Sequence, residues 1–566
     1  MKFCELDYKR IETSYVEAEC KKIIARMREA KDYSDFRAAL LDFDKMSSEI
    51  ESQYTVCYIR HTIDTTDKFY AAESDFWDSE LPKMQEFNTA VTKELLDSKF
   101  RKDLEAEFGD IITVNAELAF RCFSPEIIKE LQEENALVTE YEKLIASAQI
   151  DFEGEKRTLS QLSPFKTDAD DDTRRAAWQA DASFYKQNGE KLDELYDKLV
   201  EKRTIMGKKL GGENYVRLGY DRMTRNCYDA NDVDKFRAAV RKYIVPIASE
   251  IKKQQAARIG VSYPMTFADD ALSFRSGNPR PALDSDGILE YGKKMYHEMS
   301  AETAEFIDAM FEHGMFDLLS KKGKAAGGYC ASVPELKMPF IFANFNGTQH
   351  DVEVMTHEAG HAFAGYTCRN MIPSMLISPT YESCEIHSMS MEFFAHPWAN
   401  GFFGKDTDKF LYSHLADALT FIPYGTMVDD FQNQVYAHPE YTPAERHALW
   451  ASLEKTYRPW LALDGSDFYG EGKAWQRQTH IYERPFYYID YCLAQTVALS
   501  FWALMQKDRK DAWERYLKLV AEGGKKTFKG LLEAASLPSP FGEEALKSVA
   551  EAANEFLKNF DSENIH

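Results

Sequence analysis

Residues 351–363 read DVEVMTHEAGHAF, and within them His357, Glu358 and His361 spell H-E-x-x-H. On a helix, positions i and i+4 stand about one turn apart on one face, so both imidazoles reach a single ion. Glu358 is offset from that axis and is placed for a water beside the ion rather than for the ion itself. Helix is the expected state. Thr348 followed by Asp351 has the Thr-x-x-acid spacing of a capping box. Val352, Met355, Ala359, Ala362 and Phe363 then supply an apolar stripe that Gly360 weakens only slightly. An ordinary helix with two solvated histidines gives the same text, so the motif calls for a further ligand.

A catalytic zinc takes three protein ligands and keeps a fourth position open. The next helix candidate is TYESCEIHSMSMEFFA, residues 380–395, bounded by Pro379 and Pro397. It offers Glu382, Glu385, His387 and Glu392. Glu385 and Glu392 are seven residues apart and share a face, with Ser388 between them. One carboxylate could bind the metal while the other, or Ser388, steadies a ligand from behind. Spacing alone leaves Glu382, Glu385 and His387 all open as the third ligand, against a solvated acidic face.

Upstream, residues 323–347 read GKAAGGYCASVPELKMPFIFANFNG, in which Phe340, Ile341, Phe342 and Phe345 form a β-prone run. This predicts a small sheet or extended segment feeding the motif helix. Farther out, the first proline is Pro82 and the first glycine Gly109, and a second breaker-free window runs from Phe165 to Asn188. Such windows predict long helices. Leu192, Leu195, Tyr196 and Leu199 recur at i, i+3, i+4 and i+7, the stripe of an amphipathic helix. RPWLALDGSDFYGEGKAW, residues 458–475, reads as irregular. The expectation is a mostly α fold with a minor β element, divided into an N-terminal helical half, 1–190, and a catalytic half, 191–566.

At 566 residues with 44% hydrophobic content, the chain exceeds one small core and has the apolar mass to fold. A net charge of −24 argues against nucleic acid as a partner. The nine cysteines are scattered without a C-x-x-C pair, which predicts free thiols in a reducing compartment. MKFCELDYKRIETSY has no apolar leader core, and no stretch approaches the roughly 20 apolar residues of a membrane span. The expected location is cytoplasmic.

The two candidate helices together resemble the thimet oligopeptidase and oligoendopeptidase F family of zinc metallopeptidases. That family carries H-E-x-x-H and, about two dozen residues on, E-x-x-S-x-x-x-E, whose first Glu is the third ligand. Here the second pattern runs Glu385-Ile386-His387-Ser388-Met389-Ser390-Met391-Glu392. The resemblance therefore selects Glu385 as ligand and gives Glu392 the supporting place. GGYCASVPELKMPFIFANFNGTQHDVEVMTHEAGHAF is similar to the oligoendopeptidase F branch. In that branch a strand before the zinc helix pairs with substrate backbone, which implies Phe342, Ala343 and Asn344 beside the peptide.

A third segment, HIYERPFYYIDYCLAQTVALSFW, begins at His480. The family places there a histidine and two tyrosines that hydrogen-bond the carbonyl oxyanion, which implies His480, Tyr488 and Tyr491. Tyr488 and Tyr491 are i and i+3 on a helix expected after Pro485, so both phenols can point one way. Tyr487 or Tyr482 could be the donor instead, and aromatic residues at this spacing are often core. Thimet oligopeptidase has a glycine-rich loop where this chain has Tyr482-Glu483-Arg484-Pro485, so the likeness is to the oligoendopeptidase F branch.

The resemblance covers roughly residues 320–500. It implies one Zn2+ per chain, two helical halves flanking a deep channel, and hydrolysis of internal bonds in short peptides. Neither a membrane nor a nucleic acid is an expected partner, and oligomeric state stays open. Competing readings are a peptidyl-dipeptidase, as in the related angiotensin-converting enzyme architecture, and a non-catalytic zinc or peptide-binding protein.

Overall fold

The computed structural model describes residues 2–560 and 565, apart from 322, 326, 346 and 464; the side chains of Asp78 and Pro82 lie outside the described residues. The chain is 72% helical, in keeping with its long breaker-poor windows. It divides into two compact units, each assembled from three stretches of sequence: 1–120, 280–407 and 504–537 in one, and 121–279, 408–503 and 538–566 in the other. Residue 190, where a division along the sequence was expected, lies inside the helix Asp171–Lys209.

The first unit opens with α1 (Thr13–Glu29), α2 (Tyr33–Ile63) and α3 (Lys68–Leu96). Asp32 caps α2 by accepting the Asp35 N–H, and Asp67 caps α3 through Phe69 and Tyr70. α1 turns Val16, Cys20, Ile23 and Met27 into a shared core with Phe36, Leu40, Trp77 and Val91. α3 runs unbroken through position 82, so one proline does not end it.

A three-stranded sheet follows: β1 (Phe316–Leu319), β2 (Tyr329–Val333) and β3 (Met338–Phe345), in the order β1-β3-β2. β3 is central, parallel to β1 and antiparallel to β2. Its apolar run suits that place, because a strand covered on both faces has no solvated side to alternate with. α4 (Gln349–Cys368) packs on β3 and β2 and against α5 (Tyr381–Phe394). The start of α4 departs from a simple capping box: Thr348 is the N-cap residue, but Asp351 Oδ2 accepts the N–H of Gly347, at 2.7 Å. α6 (Arg509–Glu522) lies against α4.

The second unit contains the 39-residue helix Asp171–Lys209, started by the Asp170 cap. Its predicted stripe Leu192, Leu195, Tyr196 and Leu199 is wholly buried. A short hairpin pairs Ile150–Phe152 with Glu155–Arg157. Residues 458–473 form turns rather than a helix among the described residues. They precede the short helix Thr479–Glu483 and the almost entirely buried helix Tyr488–Met505. Buried Arg203 ties the Thr479–Glu483 turn down, pairing with Glu134 at 2.6 Å and donating to the Tyr482 carbonyl. All nine cysteines are free thiols.

Candidate active site

α4 and α5 cross where Gly360 faces Ser388. A Cβ at Gly360 would lie 2.6 Å from Ser388 Cα and 2.7 Å from the His387 carbonyl oxygen. The glycine in H-E-A-G-H is therefore what lets the two helices touch at the motif. That approach brings Glu385 Oε2 to 3.4 Å from His357 Nε2 and 3.5 Å from His361 Nε2. One ligand atom from each of the three residues falls within 4.8 Å of the others. A tetrahedral ion with bonds of about 2.1 Å separates its ligand atoms by about 3.4 Å, so the donor set fits one zinc-sized cation.

The supporting contacts point the same way. His357 Nδ1 donates to Glu392 Oε1 at 2.6 Å, which leaves Nε2 as the lone-pair nitrogen on the Glu385 side. Ser388 Oγ donates to Glu385 Oε2 at 3.1 Å and to the Glu385 carbonyl at 3.0 Å. Burial disfavours charge on His357, but Glu385 and Glu392 outweigh it and raise its pKa well above the usual imidazole value. Burial likewise works against the Glu385 carboxylate, and His361 and His357 overcome it, holding its pKa well below normal. This is a pocket built for positive charge.

Glu358 is buried beside the pair without joining it. Burial raises its pKa, partly opposed by His357 and His361. Its Oε1 lies 3.9 Å from where a Cβ would stand on Gly328, at the start of β2. The other candidate ligands on α5 point elsewhere. Glu382 is fully buried and accepts the Thr380 hydroxyl at 2.7 Å, and neither Glu382 nor His387 joins the ligand group of His357, His361 and Glu385.

His480, Tyr488 and Tyr491 form a cluster in the second unit. The His480 ring centroid is 5.1 Å from Tyr488 and 6.1 Å from Tyr491, and the two tyrosines are 5.7 Å apart. Tyr487 stacks on His480 at 5.7 Å and belongs to the same group. Tyr482 does not: it is fully buried, stacked on Tyr141 at 4.0 Å, with its hydroxyl donating to the Leu192 carbonyl. Its place is the core.

Residues 3–123 match the Peptidase M3 N-terminal domain, and residues 281–551 match Peptidase family M3. Pz peptidase A, solved with an inhibitor, is 44% identical over 99% of this chain and 100% of its own, with a TM-score of 0.94. A protein assigned as oligoendopeptidase F matches at 44% identity over 99% of each chain, TM-score 0.94. Another so assigned, from Bacillus anthracis str. Ames, matches at 43% over 99% of each chain, TM-score 0.89. The chain belongs to peptidase family M3. No match is found among curated proteins.

For this M3 peptidase the expected substrate strand is the central one, β3. Phe342 pairs with Asp317 of β1 on one side and Tyr329 of β2 on the other, and the Phe342 and Ala343 residues are buried. The Ala343 carbonyl accepts from Lys324, and Asn344 Nδ2 donates to the carbonyls of Ala325 and Gly327, at 2.8 and 2.9 Å. Phe342 therefore has no open edge for a peptide backbone, whereas the pairing with β2 ends there and does not extend to Ala343 and Asn344. The strand next to Glu358 is β2, at the sheet's edge. Two polar residues of the M3 chain, Tyr424 and Gln478, escaped the sequence reading. The Tyr424 hydroxyl donates to Gln478 Oε1 at 2.8 Å, and Gln478 Nε2 lies 3.0 Å from His480 Nδ1. Only the place of Gln478 two residues before His480 hints at this.

Proposed function

We propose that this M3 peptidase is a zinc-dependent endopeptidase that hydrolyses internal bonds of short oligopeptides, with one ion held by His357, His361 and Glu385. What carries the reading is the convergence of two imidazole nitrogens and one carboxylate oxygen at tetrahedral-edge spacing. When bound, such an ion supplies a Lewis acid that polarises the scissile carbonyl and brings the pKa of water from 15.7 towards about 7. Glu358 takes the proton of the attacking water and passes it to the leaving amine, a role suited to a carboxylate whose basicity burial has raised. Glu392 fixes the His357 ring and Ser388 steadies Glu385. His480, Tyr488 and Tyr491 donate to the carbonyl oxyanion, the role the family resemblance gives them.

Restriction to short peptides, with residues 1–190 contributing a channel wall, rests on the same resemblance. A reducing, cytoplasmic setting is supported by nine free thiols, and no helix among the described residues is long and apolar enough to cross a membrane. The test is a quenched fluorescent peptide with an amidated C-terminus, assayed with and without a chelator. An endopeptidase cuts it at an internal bond and loses turnover on chelation. Cleavage that requires a free C-terminus and releases dipeptides makes the protein a peptidyl-dipeptidase, and chelator-resistant turnover removes the metal from the mechanism.

A further inference from the structure

The segment between Arg477 and Tyr491 carries a polar device that the reaction as described leaves unassigned. Gln478 sits at the head of the Thr479–Glu483 helix, with its amide between Tyr424 and His480. Its Oε1 accepts the Tyr424 hydroxyl at 2.8 Å, and its Nε2 faces His480 Nδ1 at 3.0 Å. Tyr424 and Tyr488 meet edge to face at 5.9 Å, and Arg458 lies over the Tyr424 ring at 5.2 Å, so the hydroxyl that orients the amide is itself held.

An amide NH2 has donors and no lone pair. With Oε1 engaged by Tyr424, Gln478 presents its NH2 to His480 Nδ1, which must accept. An imidazole that accepts at Nδ1 is neutral and carries its proton on Nε2. We infer that Gln478, oriented by Tyr424, is a positioning residue that sets His480 as a hydrogen-bond donor, so that Nε2–H is offered to the substrate oxygen.

The inference rests on the reading of His480 as an oxyanion donor. Its logic resembles that of any second residue fixing a histidine tautomer, with one difference: an amide, unlike a carboxylate, supplies no charge and so does not favour imidazolium. The reversed amide would hand Nδ1 a carbonyl oxygen, place the proton there, and leave Nε2 an acceptor unable to stabilise an oxyanion.

The experiment is 15N NMR of the full-length enzyme labelled at histidine, with His480 assigned by difference against His480→Gln, alongside kinetics of Gln478→Glu and Gln478→Met. In the wild type at neutral pH the expected resonances are an unprotonated Nδ1 and a protonated Nε2. Gln478→Glu, whose carboxylate can only accept from the ring, moves the proton to Nδ1. Both variants lower kcat by about 10²-fold, the scale of one lost oxyanion donor, with KM changed much less. A protonated Nδ1 in the wild type overturns the inference, as does a Gln478→Glu enzyme with unchanged tautomer and kcat. Full kcat in His480→Ala overturns the underlying donor reading instead; the tautomer is read without substrate, so the two failures are distinguishable.

Discussion

At His357 the two ring nitrogens are divided between two carboxylates, Nε2 facing Glu385 at 3.4 Å and Nδ1 bound to Glu392 at 2.6 Å. Glu392 thus fixes both the tautomer and the ring angle of a residue it does not replace. Glu392→Ala is expected to weaken zinc affinity by about 10–100-fold, measured by competition with a chromophoric chelator; unchanged affinity would make the contact incidental. The pair His357/His361 was legible because H-E-x-x-H encodes its geometry in spacing alone. Spacing alone did not single out the third ligand, since Glu382, Glu385 and His387 all occur on one short helix; the family pattern selected Glu385, and packing tells their directions apart. Packing sends Glu382 to Thr380 and brings Glu385 to the imidazoles. Gln478 was invisible for a related reason: its partner Tyr424 is 54 residues away in sequence.

For the elements, the decisive contact is the crossing of α4 and α5 at Gly360. In an isolated helix alanine is preferred to glycine by about 1 kcal/mol. Here an added methyl meets backbone of the facing helix at 2.6–2.7 Å, which neither helix can yield without sliding. Gly360→Ala is therefore expected to destabilise by about 1–3 kcal/mol and to weaken zinc binding as Glu385 moves away. Denaturant unfolding with and without zinc reads both, and a stabilised variant with full affinity would contradict the close crossing. The same scale marks a limit of sequence reading. The 323–347 stretch declared its strands through its β-prone run and glycines, but a continuous apolar run says only that a strand is buried. Whether it lies at the centre or the edge depends on β1 and β2, which no residue within the run announces.

Over the whole molecule, long breaker-poor windows made the helical character legible, whereas two units each drawn from three stretches of chain were not, because non-local assembly leaves no local mark. The chain also buries charge in its second unit. Asp490 accepts from Arg225 at 3.1 Å and from Tyr228 at 3.3 Å, with Asp429 nearby. Burial raises its pKa from 3.8 to about 6, against the pull of Arg225 and with the help of Asp429. Between those values the folded protein holds a proton that the unfolded chain has released, so this group's contribution to stability falls as pH rises from about 4 to 6. Compared with Asp490→Asn, the wild type should lose on the order of 2–3 kcal/mol across that window, beyond what the two proteins lose in common. Parallel pH profiles of their unfolding would contradict the shift.

The central claim is that His357, His361 and Glu385 share one ion. Metal content of the purified chain, determined by mass spectrometry after equilibration with limiting zinc and removal of free metal, tests it most directly. The account predicts one zinc per chain in the wild type and in Glu358→Gln, and little or none in Glu385→Ala or His361→Ala. Full zinc in Glu385→Ala and His361→Ala, or none in the wild type, would contradict it.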